Sequence, residues 1–168
     1  ISRLGVSAYP REVTPMMVIN LATGGAAASV LARLNQIPLH VVDVGTEPYP
    51  DPQTGPGMYW TRAAQAGTVG DLVETDAMDA EALKAAMDAG ATAVDALPSN
   101  TRIVIFGEMG IGNTTPASAV SARLMQRKAL DMVGPGTGVE GDALAAKRVM
   151  VQRALDRTDG THAPLEVL

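Results

Sequence analysis

The stretch RIVIFGEMGIGNTTPASAV, residues 102–120, decides how this chain reads. RIVIFG is a continuous β-branched apolar run, the pattern of a strand buried on both faces. From Thr114 to residue 130 the pattern returns to helix. Between them Gly107, Gly110 and Gly112 let the backbone turn sharply and expose consecutive N–H groups. With the positive end of a helix starting near Thr114, such a loop makes a cradle for phosphate or carboxylate. Asn113, Thr114 and Thr115 add side-chain donors there. The same residues also suit a plain strand-to-helix turn, and the spacing leaves both readings open. Glu108 tilts the balance towards binding, since a carboxylate in an anion cradle needs a task, such as holding a ribose hydroxyl or a cationic ring. A salt bridge to Arg102 or a solvated position is the alternative. The loop is neither G-x-x-x-x-G-K-[ST] nor G-x-G-x-x-G, so a nucleoside triphosphatase or a nicotinamide dehydrogenase has poor support.

Working outward, residues 13–35 predict a helix with Thr14 as N-cap and Pro15 at its first position. Gly24 and Gly25 fall in its middle, each weakening it by roughly 1 kcal/mol against alanine. They imply either a close approach or a helix break. IPLHVVDVG, 37–45, predicts a second buried strand, and TEPYPDPQTGPG, 46–57, a proline-rich and mobile loop. Residues 79–97 predict a helix capped by Asp79, and 140–157 another, with an apolar stripe through Leu144, Val151 and Leu155. Helix alternating with strand is the α/β pattern, with right-handed crossovers and a parallel sheet. In such sheets ligands sit beyond the carboxyl ends of the strands, where Asp43, Gly45 and the loop from Gly107 fall. The proline-rich loop is not taken as a boundary, so one domain is expected over 1–168.

The bulk properties narrow the function. The 168 residues are 46% hydrophobic, mostly aliphatic, with a net charge of −5. No dense basic face is present, which disfavours nucleic acid as a partner. There is no cysteine, which removes thiolate catalysis, disulfides and cysteine-ligated metals. No apolar run is read as a membrane span. The chain opens on Ile1 and stops at PLEVL, so the expectation is a segment of something larger, cut at both ends.

A second glycine cluster, GPGTG at 134–138, precedes the helix at 140 and offers another N-terminus with exposed amides. Lys147 and Arg148 lie two turns into that helix. A lysine near a phosphate cradle can pair with it as a point charge; a lone lysine on a solvated helix face is the plainer alternative. His40 lies within a strand and reads as a satisfied core histidine, and with His162 it lacks ligand spacing to any carboxylate. No metal site and no Ser/His/Asp pattern is read.

GVSAYPREVTPMMVINLATGGAAASVLAR, HVVDVG, FGEMGIGNTTPASAV and VGPGTGVEGDALAAKR, in that order, closely resemble the nicotinate-nucleotide–dimethylbenzimidazole phosphoribosyltransferase family. The resemblance runs from about Gly5 to Leu155 and is weakest between Thr46 and Asp76. It implies a Rossmann-like parallel sheet flanked by helices, the chain being the N-terminal or central part. It also implies a cytoplasmic, homodimeric enzyme of cobalamin biosynthesis that works without a cofactor. That enzyme moves the 5-phosphoribosyl group of nicotinate mononucleotide to 5,6-dimethylbenzimidazole. Carried over by the resemblance, Glu108, Gly110, Ile111 and Gly112 belong to the nucleotide-binding loop with Asn113 and Thr114, and Glu108 is a supporting catalytic group. Gly136, Thr137 and Gly138 lie near nicotinate and ribose, and Lys147 contacts the phosphate. Tyr9, with Ser7 and Ala8, lines the pocket of the aromatic base. Met16 stands where the family often has glutamine, so the base accepted can differ from dimethylbenzimidazole. The family's general-base glutamate has no match here, and Glu166 does not correspond to it. A homologue or fragment that only binds nucleotide or aromatic base is the alternative.

Overall fold

The glycine pair at 24–25 ends one helix and separates it from the next. In the computed structural model, which describes residues 6–63, 70–160, 163 and 166, helix α1 spans Val13–Thr23 and α2 spans Ala27–Leu34. Gly24 caps α1 in the left-handed region at φ 93°, a conformation that excludes most side chains. The single helix expected over 13–35 is therefore two, and the glycines serve the break; the backbone of the proline-rich loop also comes close there, the Gly55 N–H donating to Ala22 O at 2.9 Å. Ser29 Oγ donates to Leu21 O at 2.7 Å and ties the two together. Thr14 does not cap α1 either: the flanking residue is Glu12, and Pro15 is the third helical residue. Proline is tolerated there because the first four helix N–H groups have no intrahelical acceptor.

Taken as one stretch, Val13–Leu34 is long and apolar enough to cross a membrane, with a mean hydropathy of 1.4. The left-handed break at Gly24 divides it into pieces of 11 and 8 residues, each well short of the roughly 20 that a spanning helix needs.

Strand β1, Leu39–Asp43, pairs in parallel with β2, Met58–Arg62, in the register Leu39↔Met58 to Asp43↔Arg62. β2 was not anticipated, because MYWTR follows directly on the proline-rich loop. The crossover is that loop, with no helix in it. Helices α1 and α3 (Ala80–Asp95) pack against β1, giving a mixed α/β arrangement with a parallel two-stranded sheet flanked by helices. The expectation that β1 is buried on both faces is corrected: Val41 and Val42 are half-buried and His40 is exposed. His40 is not a core histidine, and its Nε2 lies 2.7 Å from Thr61 Oγ1 across the strand pair.

RIVIFG forms no strand. Ile103, Ile105 and Phe106 are 80%, 78% and 81% exposed. The reason is the missing ladder, since the two strands among the described residues pair only with each other. The helix expected over 114–130 stops early as α4, Thr114–Leu124, and resumes as α5, Ala129–Met132. Gln126, at φ 55°, breaks it. Helix α6, Gly141–Arg157, lies where expected.

The chain divides into two compact units, each assembled from separate segments. The first comprises 1–11, 69–79 and 109–168. Its core joins Leu72 and Val73 to Ala119 and Ala122 of α4, Ala129 of α5, and Val151, Ala154 and Leu155 of α6. Arg157 holds the 71–76 segment to α6, donating to Leu72 O at 3.0 Å and pairing with Asp76 at 2.8 Å. The second unit comprises 12–68 and 80–108, and holds α1, α2, the strand pair and α3.

Candidate functional site

Lys147 is the most unusual side chain of the first unit. It stands in the stripe Leu144, Lys147, Val151, Ala154 of α6, the i, i+3, i+7, i+10 positions that face a core. It is 1% exposed, so the solvated-face reading is excluded. Its Nζ donates to Thr114 Oγ1 at 2.7 Å and to Gly134 O at 3.1 Å. One ammonium thus links the start of α4 to the GPGTG loop, and the two glycine loops singled out in the sequence meet there. Among the described residues no carboxylate forms an ion pair with it, and burial pushes its pKa down. A buried cation held by two neutral acceptors keeps its charge uncompensated, a condition that favours an anion beside it.

Gly136 is needed at this junction. Its φ is 58°, and an added Cβ would lie 2.8 Å from Thr114 Oγ1 and 3.2 Å from Lys147 Nζ. Gly138 is also left-handed, at φ 79°, and Thr137 between them is exposed. A cleft of about 320 Å³ opens beside the two acceptors of Lys147, with Thr114, Ser118, Ser121, Met132, Gly134 and Gly136 on its walls. The Ser118 hydroxyl lies 2.7 Å from Thr114 O and 3.0 Å from Met132 O, and so bridges α4 and α5. Thr115 is 1% exposed, and its Oγ1 has no partner among the described residues.

The GEMGIGNTT loop is more self-contained than its sequence implies. Gly112 is left-handed at φ 87°. The Asn113 N–H donates to Gly110 O at 3.1 Å and the Thr115 N–H to Gly112 O at 2.9 Å. Those two amides close turns within the loop and are not offered to a ligand, which corrects the picture of a fully exposed row. A Cβ on Gly110 would come within 2.4 Å of Asn113 Nδ2, so glycine there admits the folded-back asparagine. Ile111 is half-buried. Glu108 is exposed and ends the last segment of the second unit. Of the residues expected to line an aromatic pocket, Ser7 accepts the Tyr9 N–H at 3.2 Å, Ala8 and Tyr9 are exposed, and all three belong to the first unit. Met16 lies exposed on α1 in the second unit. His162 lies outside the described residues, and Glu166 is exposed.

In the second unit, the carboxyl end of β1 is closed by a network that the sequence reading missed. Asp43, 4% exposed, accepts the Gly45 and Thr46 N–H groups on Oδ1, both at 3.0 Å. Its Oδ2 accepts the Tyr49 hydroxyl at 2.7 Å, and that hydroxyl accepts Trp60 Nε1–H at 2.9 Å. The Arg62 guanidinium lies over the Tyr49 ring, 4.3 Å from its centroid, and donates to Tyr49 O at 3.0 Å. Burial, and then the bond to Asp43, raise the Tyr49 pKa. The proline-rich loop, read as mobile, is strapped across the strand ends by its tyrosine. Asp43 is fully engaged in that strap. Among the described residues no group of three or more His, Asp or Glu side chains is arranged to hold a metal ion.

Comparison with known proteins adds the family. Relatives from Deinococcus radiodurans and Pseudomonas aeruginosa, each named nicotinate-nucleotide–dimethylbenzimidazole phosphoribosyltransferase, are 44% identical to this chain. Each match covers 98% of the chain and 46% of the relative. The crystal structure of CobT from Thermus thermophilus superposes with a TM-score of 0.85 at 38% identity, over 99% of this chain and 49% of that one. The chain thus spans just under half the length of the curated relatives it matches. The family described as phosphoribosyltransferase matches residues 1–168. With that match running the full length and over both glycine loops joined by Lys147, the chain belongs to the phosphoribosyltransferase family.

Proposed function

We propose that residues 1–168 are part of one phosphoribosyltransferase domain that moves the 5-phosphoribosyl group of nicotinate mononucleotide to 5,6-dimethylbenzimidazole. The products are α-ribazole 5′-phosphate and nicotinate, in cobalamin biosynthesis. The substrates follow from the name carried by relatives 44% identical over 98% of the chain. The observation in the molecule that carries the reading is the buried Lys147, clamped between Thr114 and Gly134 beside an open cleft.

The chemistry asks little of catalytic side chains. In nicotinate mononucleotide the glycosidic nitrogen is a pyridinium, so nicotinate departs with the bonding pair as a neutral ring. The benzimidazole nitrogen attacks C1′ from the far face, which turns the β-nucleotide into the α-product, and the second ring nitrogen gives up its proton to a base. The protein's work is to hold phosphate and ribose and to align the attacking nitrogen. Lys147 supplies the charge on the phosphate, with donors from Gly110, Ile111, Gly112, Asn113 and Thr114. Gly136, Thr137 and Gly138 flank ribose and nicotinate. Glu108 supports the ribose or the cationic ring, and Ser7, Ala8, Tyr9 and Met16 border the aromatic base. The enzyme acts in the cytoplasm as a homodimer.

A second reading, a chain that binds nucleotide without turning it over, is favoured by the lack of a match to the family's base glutamate within residues 1–168. Chromatography of nicotinate after mixing the chain with nicotinate mononucleotide and dimethylbenzimidazole separates the two. Release that depends on the benzimidazole supports the transferase. Binding of the nucleotide in a calorimeter without release supports the second reading, and neither binding nor release removes both.

A further inference from the structure

Just past the last turn of α6, Asp159–Gly160 is the one place in the sequence where glycine follows an aspartate or asparagine. That pairing has a chemistry of its own. A main-chain nitrogen can attack the side-chain carboxyl of the aspartate before it, and glycine, with no Cβ, leaves the approach open. A regular helix suppresses this reaction, because it fixes the main chain and holds each amide on a carbonyl four residues back.

At this dipeptide the helix has ended. Thr158 flanks α6, and its N–H still reaches Ala154 O at 3.2 Å. The Asp159 N–H turns instead to Asp156 O at 3.4 Å, and the Gly160 N–H meets no acceptor among the described residues. Gly160 stands at φ 84°, with nothing within 4 Å of the place a Cβ would occupy. The Asp159 side chain is 88% exposed and pairs with Arg123 Nη1 at 3.5 Å. An exposed pair of that length holds a carboxylate only weakly, and Arg123 does not depend on it, since it also donates to Leu155 O and Thr158 Oγ1. Asp156 is the contrast: it lies within α6, accepts a bond from Gln152 Nε2 at 2.9 Å and precedes Arg157.

We propose that Asp159–Gly160 is a modification site, isomerising unaided to isoaspartate and so becoming a methyl acceptor for an isoaspartate-repair methyltransferase. The Gly160 nitrogen bonds to Asp159 Cγ; its proton leaves with a carboxyl oxygen and a second proton as water, and a five-membered succinimide remains. Water then opens the ring. Breaking the bond from nitrogen to Cγ restores aspartate. Breaking the bond inside the ring between that nitrogen and the Asp159 main-chain carbonyl carbon leaves the chain running through Cβ and Cγ, with a free α-carboxylate. One water leaves and one returns, so the mass is unchanged and no oxidant is involved. The repair step moves a methyl group from a sulfonium donor to the new carboxylate, and the donor leaves as a thioether. None of these steps depends on the phosphoribosyl transfer proposed above.

The test incubates the purified chain at neutral pH and follows the tryptic peptide 158–168 by chromatography and mass spectrometry. That peptide should divide into two species of equal mass, one of which takes a labelled methyl group from a purified isoaspartyl methyltransferase. Peptides carrying Asp88 and Asp156, both within helices, should stay single. Asp159→Glu keeps the charge opposite Arg123 but requires a six-membered ring, so both the second species and the label should be lost. Because Asp159 is exposed, circular dichroism of that variant should match the wild type. A synthetic peptide of residues 157–168 supplies the rate without the fold, and the folded chain should convert at a comparable rate. A chain that stays single while the free peptide converts overturns the proposal, because the fold then shields the dipeptide. Absence of conversion in both, or a label that persists in Asp159→Glu, overturns it as well.

Discussion

Replacing Lys147 by methionine tests the phosphate socket most directly. Methionine keeps the apolar stem in the stripe between Leu144 and Val151 and removes the ammonium. Two of the three N–H groups are taken by Thr114 Oγ1 and Gly134 O, at 2.7 and 3.1 Å, so a single N–H remains for a ligand oxygen. A charge-assisted hydrogen bond contributes about 1.5–3 kcal/mol, and at about 1.4 kcal/mol per decade its loss raises Kd roughly 10- to 100-fold. The fold should survive, because the two lost bonds are offset by no longer burying an ammonium that lacks a carboxylate partner. Calorimetry with nicotinate mononucleotide at neutral pH reads the affinity, and thermal unfolding checks the fold. The pH dependence adds a second signature. Burial lowers the Lys147 pKa, so the ammonium is lost at a lower pH than an ordinary lysine, near ~10.4, would lose it. Nucleotide affinity should fall as the pH rises through that lowered value, and the methionine variant should lack this limb. Stability moves the other way: the unfolded chain binds more protons in this window, so stability rises with pH between the folded and unfolded values. A Kd within twofold of wild type in a folded variant would refute the socket and leave Lys147 as a tie between α4 and α6.

Gly136→Ala forces a side chain into φ 58° and against Thr114 Oγ1 at 2.8 Å; a loss of about 1–3 kcal/mol is expected in urea unfolding, together with weaker nucleotide binding, and an unchanged midpoint would contradict the close packing. Tyr49→Phe removes the hydroxyl shared by Asp43 and Trp60 and should cost about 2 kcal/mol, read from the fluorescence of the single tryptophan during denaturation; a change below 0.5 kcal/mol, roughly the surface-substitution background, would show that the strap is slack. Since the Tyr49 pKa is raised in the folded chain, its contribution is present below the ordinary tyrosine value of ~10 and is lost as the pH rises through the folded value; the phenylalanine variant should show a shallower alkaline decline. Glu108→Gln, in a mixture that turns over, should slow nicotinate release about 100-fold, the scale seen when one transition-state stabilising group is removed, and wild-type rates would take Glu108 out of the site.

The parts of this molecule legible in its sequence are those whose cause is local. Helices α3 and α6 were found nearly to the residue, because alanine-rich periodicity and the residues flanking a helix act within a few positions of the chain. The glycines at 110, 112, 136 and 138 announced tight turns, and those at 112, 136 and 138 are left-handed. The α1–α2 break was visible as one of two readings, and settling it needed the capping geometry at Gly24. Strand β2 escaped because five residues that close a proline-rich loop have no periodicity to set against it, and their assignment comes from pairing with β1. Lys147 carried a signal that was underused: a lysine in register with Leu144, Val151 and Ala154 belongs to the buried face.

By itself the sequence determined the α/β class, the two glycine loops and, through long strings such as GEMGIGNTT, the resemblance to the phosphoribosyltransferase family. These depend on backbone freedom, local periodicity and residue identity, all written along one dimension. Only the tertiary structure decided that Lys147 reaches Thr114 and Gly134, from 33 and 13 residues away. The same holds for the closing of the β1 end by Tyr49, Trp60 and Arg62, and for the exposure of RIVIFG. Burial and hydrogen-bond partners depend on which distant segments share space, and a side chain's charge, pairing and availability to a ligand are set by those neighbours.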